Sequence, residues 1–169
     1  MKKLLLAALL LAGASHANDA NKYNWVNNDH NLAVVLAKTH EADRAIMAEK
    51  CEDRVVLSLY DFTNYTEAML GKTVSIRWRV DKMDTHDATL PITKAASGYF
   101  VLPLVLTEAQ QRDMKRGDTL RIVYKLTAGG YNNLEEYTLK GYTRSLNNAP
   151  DSCGDTASEY FDMNDGKYF

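Results

Sequence analysis

Three histidines beyond the first seventeen residues stand beside carboxylates: His30 after Asp29, His40 before Glu41, and His86 before Asp87. A histidine next to a carboxylate is raw material for a metal site or a general base, so spacing decides. His40-Glu41 lacks the second histidine that a zinc-protease helix needs. Asp84, His86 and Asp87 are three potential ligands on one connection, but a zinc site there needs another ligand from elsewhere. The run Asp162-Met163-Asn164-Asp165-Gly166 resembles part of a calcium loop, yet its glycine comes one position early and no closing glutamate follows. There is no Gly-x-Ser-x-Gly turn for a nucleophile. Glu135 and Glu136 are adjacent, and strand neighbours point to opposite faces, so they read as hairpin solubility charges. Gly129-Gly130 reads as a turn and not as a phosphate cradle. No catalytic residue, metal ligand or cofactor is therefore expected.

Two sulfurs and a set of surface-binding residues remain. Cys51 and Cys153 are the only cysteines, far apart and flanked by acids. Acidic neighbours oppose thiolate chemistry, so a structural disulfide is the expectation. Closing a loop of about a hundred residues would contribute roughly 4–5 kcal/mol. Arg77 and Arg79 project from one face of a strand, a pairing suited to a carboxylate or phosphate, or simply to acids on a neighbouring strand. Among ten tyrosines, Tyr65, Tyr131 and Tyr142 fall in connections. Tyrosine gives large contact area at low entropic cost, which makes these three candidates for an interface. Tyr124, Tyr137 and Trp78 read as core.

The chain opens Met1-Lys2-Lys3, continues with an apolar run from Leu4 to Ala12, and reaches Ser15-His16-Ala17. This is the pattern of a secretory signal peptide over residues 1–17, cleaved between Ala17 and Asn18. The apolar run is too short to span a bilayer. Export places the cysteines where they can oxidise and predicts a periplasmic protein. Losing Lys2 and Lys3 leaves 18 basic against 22 acidic residues, so the net charge moves from −2 to −4. That balance argues against nucleic acid as a partner. Peripheral membrane contact stays open.

The elements that must position these groups are mostly strands. Leu32–Ala37 is a short apolar strand, and Thr39–Lys50 permits either helix or strand. Val55–Tyr60 is apolar on both faces and so central. Val74–Val80 alternates, with Val74, Ile76, Trp78 and Val80 on one face and Ser75, Arg77 and Arg79 on the other. Asp81–Ala96 reads as a polar connection, and Tyr99–Leu102 as a short strand. Thr107 and Gln110 form a capping box that starts one short surface helix, for which Gly117 can supply a left-handed end. Leu120–Leu126 alternates and pairs with Glu136–Gly141 across a Gly- and Asn-rich turn. Tyr142–Leu146 permits a helical turn, and Trp25 packs a lead-in segment onto the domain. The fold class is mainly β: an antiparallel β-sandwich, immunoglobulin-like or a partly open barrel, over residues 18–153. Residues 154–169 form an acidic tail, mobile or held only by Tyr160, Phe161, Tyr168 and Phe169.

Certain residues carry a family resemblance: Cys51 ahead of the Val55–Tyr60 strand, Arg77-Trp78-Arg79-Val80-Asp81, Leu120–Val123 after a helix and a Gly-Asp turn, and Leu139-x-Gly141 with Ser145-Leu146 ahead of Cys153. Over about residues 50–153 the chain resembles small exported bacterial proteins of the invasion-associated locus B type and the similar type VI secretion accessory proteins. The resemblance implies a β-sandwich clasped by one disulfide, without known catalytic residues. The segment 82–97 and the acidic tail depart from that pattern. The expected function is that of a non-enzymatic periplasmic binding or accessory protein acting on another envelope protein, as an inhibitor, an immunity or exclusion factor, or a secretion accessory. A small hydrolase acting on cell-wall or glycan material is the alternative, and a small-ligand carrier a third.

Overall fold

The computed structural model describes residues 24–27, 33–38, 44–61, 65–95, 98–125 and 133–151. The expected signal peptide over residues 1–17 and its expected cleavage between Ala17 and Asn18, the histidines His30 and His40, Tyr131, Cys153 and residues 154–169 lie outside the described residues.

Among the described residues ten strands form two antiparallel sheets, so the fold is mainly β and a sandwich, as the alternating patterns predict. The larger sheet has six strands: β1 (Val26–Asn27), β2 (Ala33–Leu36), β3 (Arg44–Cys51), β4 (Arg54–Asp61), β7 (Thr93–Lys94) and β8 (Phe100–Leu106). Their spatial order is β1-β2-β3-β4-β8-β7, which makes β4 central. The smaller sheet has the order β10-β9-β5-β6, from β5 (Thr73–Val80), β6 (His86–Pro91), β9 (Thr119–Lys125) and β10 (Asn133–Thr138). The ambiguous segment before Cys51 is a strand: β3 pairs along its length with β4 across a two-residue turn, where Glu52 takes the left-handed region at φ 55°.

The main core lies between the sheets. Leu57, Leu59 and Leu102 from the larger sheet meet Ile76, Trp78 and Ile122 from the smaller one. The buried residues of β5 are those its alternation predicts: Val74, Ile76, Trp78 and Val80. Met114, the one buried residue of helix α1 (Glu108–Arg116), and Tyr142 and Leu146 of helix α2 (Tyr142–Asn148) also join this core. The helical turn permitted over Tyr142–Leu146 is thus present as α2, beside the one short helix of the expected fold. Trp25 donates its backbone N–H to the Lys140 carbonyl and sets its ring edge-on to Tyr142, with centroids 4.9 Å apart. Gly141 makes that approach possible, because its φ is 88° and a Cβ there would lie 2.8 Å from the Trp25 carbonyl oxygen.

Two expectations need correction. The segment read as a polar connection, Asp81–Ala96, is not simply one over its described residues 81–95. β6 pairs with β5 from Thr73↔Pro91 to Trp78↔His86, and the chain then turns at Ile92 into β7 of the other sheet. The sequence hides β6 because it is an edge strand with a polar outward side, Asp87 and Thr89, and only Leu90 fully buried. Pro91 at its end suits an edge, where a missing N–H costs least. Gly117 is also not left-handed: its φ is −89° and its ψ 172°. A glycine is required there for space, since a Cβ would meet Val80 Cγ1 at 2.0 Å. The capping box itself is present, with Gln110 N–H donating to Thr107 Oγ1 and Thr107 N–H to Gln110 Oε1.

Candidate functional site

The residues able to meet a partner collect on the outward face of the four-stranded sheet. Register places them in rows across the strands. Arg79 of β5 lies opposite Arg121 of β9, which lies opposite Glu136 of β10. In the next row Asp87, Arg77, Val123 and Leu134 follow one another from β6 to β10. Beyond that, Thr89, Ser75 and Lys125 are aligned. The face carries four cations against two carboxylates, on a chain whose net charge is −2.

Its ion pairs are unevenly distributed. Arg77 grips Asp87 with two donors, Nε to Oδ1 at 2.8 Å and Nη2 to Oδ2 at 3.2 Å. That guanidinium holds the Asp87 carboxyl below the usual aspartate range. Arg121 Nε donates to Glu136 Oε1 at 2.6 Å. Arg79 and Lys125 are exposed and form no ion pair among the described residues. Like charges directly opposite on neighbouring strands are unfavourable. Arg79 therefore faces Arg121 at some cost in stability and offers its guanidinium outward. Leu134, 47 % exposed, adds an apolar contact point beside half-buried Val123.

The opposite sides of the same strands build a buried polar cluster. Glu135 points inward and is wholly buried, where Arg44 Nη1 of β3 donates to its Oε1 at 2.6 Å across the gap between the sheets. The Arg44 guanidinium also lies 4.7 Å from the centre of the Tyr124 ring. Burial pushes the Tyr124 and Tyr137 hydroxyls well above the ordinary tyrosine range. This overturns the reading of Glu135 as a solubility charge; only Glu136 is on the surface side. A buried pair of this kind adds little net stability when intact, but it fixes which side of β10 faces inward.

The remaining candidates separate. Arg77 and Arg79 share the exposed face as expected. Tyr65 and Tyr142 do not reach the surface: both are buried in the main core, so neither is an interface residue. Their placement outside the strand patterns concealed this: Tyr142 opens α2, and both rings join the core. Tyr124, Tyr137 and Trp78 are core residues, as read. His86 packs on the Trp78 ring at 4.6 Å while Asp87 points to the other face, so the structure does not bring them together as ligands. No group of three metal-ligating side chains forms among the described residues. Cys51 ends β3 and is buried. The sequence did not single out Arg121, Lys125, Val123 or Leu134. Alternation along Leu120–Leu126 turns Arg121, Val123 and Lys125 outward, as read, but only the β5–β9–β10 register sets them beside Arg77, Arg79 and Leu134.

No family model matches the chain, and no curated protein does. Among solved structures, the chain is similar to invasion associated protein B from Bartonella henselae, with 16 % identity, 69 % of this chain and 80 % of that chain covered, and a TM-score of 0.49. No helix among the described residues is long and apolar enough to cross a membrane.

Proposed function

We propose that this is an exported, non-enzymatic binding protein which engages an acidic surface of another cell-envelope protein through the outward face of its four-stranded sheet. The observation that carries the reading is Arg79, without an ion pair among the described residues, held opposite Arg121, with Lys125 and exposed Leu134 on the same face. Two cations without an ion pair among the described residues, beside an apolar contact point, favour an acidic, partly apolar partner surface. Export to the envelope rests on the signal-peptide pattern of residues 1–17, and the clasp between Cys51 and Cys153 on their isolation in an oxidising compartment.

A photoreactive phenylalanine analogue placed at Leu134 of the full-length protein in living cells tests this. A discrete adduct with one envelope protein is expected, weakening as salt is raised. The same analogue at Glu108 of α1 should give none. Arg79→Glu combined with Lys125→Glu should abolish the adduct while thermal stability holds or rises slightly, since the Arg79–Arg121 repulsion is removed. Absence of any adduct, or one indifferent to charge reversal, overturns the reading.

A further inference from the structure

The opposition of Arg79 and Arg121 is held in place from beyond the end of their strands. Pairing of β5 with β9 runs through Arg79↔Arg121 to Val80↔Leu120. One residue further, Asp81 enters the left-handed region at φ 47°. Its two carboxylate oxygens accept the backbone N–H groups of Asp118 and Thr119, each at 2.9 Å. Its own N–H donates to the Thr119 carbonyl at 2.9 Å. Gly117 closes the same corner, where a Cβ would come within 2.8 Å of the Asp81 carboxylate. These hydrogen bonds lock the register that sets the two guanidinium groups side by side. A slip by one residue would relieve the repulsion only by turning the apolar side of β9 outward. Two unfavourable features, a left-handed aspartate and an arginine opposite an arginine, thus stand together at one end of the exposed face.

Charge along β9 falls into two points. In the row of Arg79, Arg121 and Glu136, two cations stand against one carboxylate, so one positive charge is in excess. The next row is neutral: Arg77 holds Asp87, and its β9 and β10 members are Val123 and Leu134. One row further, Lys125 brings a second positive charge, aligned with uncharged Ser75 and Thr89. Arg121 and Lys125 lie on the same side of β9, four residues and about 13 Å apart, with Val123 midway.

An extended chain laid along β9 matches these steps. Its residues i, i+2 and i+4 share one side and advance at the same spacing. A helix does not match, since its residues i and i+4 are only about 6 Å apart along the axis. Each cationic point carries one uncompensated charge, which one carboxylate neutralises, and a guanidinium can meet that carboxylate with two parallel N–H donors.

We infer that this face binds an extended acidic segment of the partner in which two carboxylate residues stand four apart with an apolar residue midway between them. The first carboxylate meets Arg79 and Arg121, the apolar residue meets Val123 and Leu134, and the second carboxylate meets Lys125. The pattern reads the same in either chain direction. The inference rests on the proposed binding face and adds the conformation and spacing of what it binds.

The test uses dye-labelled, end-capped peptides and the protein recovered from cells expressing the full chain, read by fluorescence anisotropy at low salt. Thr-Glu-Thr-Val-Thr-Glu-Thr carries the proposed spacing, and its isomer Thr-Glu-Thr-Val-Glu-Thr-Thr brings the carboxylates one residue closer. The first should bind about five-fold more tightly than the second. Arg79→Gln and Lys125→Gln should each remove most of that preference, whereas Arg112→Gln on α1 should leave it unchanged. Equal binding of the two isomers to the parent protein overturns the inference, as does a preference that survives Lys125→Gln. Binding of neither peptide, with a charge-sensitive adduct still formed at Leu134 in cells, also overturns it and leaves the acidic partner standing. Binding of neither with no adduct removes the binding face itself. The comparison of isomers needs no variant to fold.

Discussion

The outward face of the six-stranded sheet is built from Leu36, Ala45, Met47, Tyr60 and Val101, whereas that of the four-stranded sheet presents Arg77, Arg79, Arg121 and Lys125. Both faces belong to antiparallel sheets that share one core, so topology alone does not set their character. The patterns of the strands do. A strand apolar on both sides, such as Val55–Tyr60, requires cover on both. A strand that alternates strictly, such as Val74–Val80, requires it on one. The two outer surfaces thus differ: that of the six-stranded sheet is buried, and that of the four-stranded sheet stays wet. The Arg44–Glu135 pair between the sheets keeps the two sides of β10 from being exchanged, since a one-residue slip would put Glu136 inside.

The largest effect should follow from breaking that pair. Arg44→Ala leaves the wholly buried Glu135 carboxylate without its guanidinium and should destabilise the protein by about 3–5 kcal/mol, read from the urea unfolding midpoint. Replacing both partners, Arg44→Met with Glu135→Leu, should recover most of the loss, because an apolar pair of similar volume removes the orphaned charge. A single-substitution cost below about 1 kcal/mol would mean that water reaches Glu135 and that the pair does not anchor β10.

The next comparison sets one apolar side chain from each outer face against the other. Met47→Ala removes a buried side chain from the outward face of the six-stranded sheet and should cost about 2–3 kcal/mol. Leu134→Ala trims a side chain that is 47 % exposed and should stay within about 0.5 kcal/mol. Equal costs at the two positions would erase the distinction between the buried and the open face.

How far these surfaces could be read in the sequence depends on whether the signal is local. Val74–Val80 announces its buried side by period, and Thr107-x-x-Gln110 announces the start of α1 by its caps. β6 gives no such notice, because an edge strand needs few apolar residues. Glu135 and Glu136 are chemically identical neighbours; only pairing with β9, and an arginine ninety-one positions away in sequence, separates buried from exposed. Tyr65 and Tyr142 lie in segments that look like loops and yet pack inward, because a loop's polarity reports its backbone surroundings and not the destination of one ring. Of the candidate binding face, Arg77 and Arg79 were legible from alternation on their own strand. Arg121 and Lys125 were likewise turned outward by the alternation of Leu120–Leu126, but their position beside Arg77 and Arg79, and that of Leu134, is a matter of register.

Two carboxylates carry the comparison into pH dependence, and their signs are opposite. Glu49 is buried on the outward side of the six-stranded sheet, and desolvation raises its carboxyl above the ordinary glutamate range. The folded state therefore holds its proton more tightly than the unfolded chain. The associated stability is fully present below the ordinary glutamate value and is lost as pH rises through the folded value. Glu49→Gln should flatten this slope, making the variant the more stable protein at neutral pH, with the advantage vanishing in acid. Asp87 lies on the open face, where its hydrogen bonds to Arg77 lower its carboxyl. Its contribution is present above the ordinary aspartate value and fades as pH falls through the folded one. Because this pair is exposed and screened, Asp87→Asn should change the urea midpoint only slightly, in low salt, and only above the acid range. Midpoints measured for both variants from acid to neutral pH should diverge from the parent in opposite directions. If Glu49→Gln instead lost stability at neutral pH, its carboxylate would have to be ionised and paired there, and the face would not be the dry surface that its neighbours indicate.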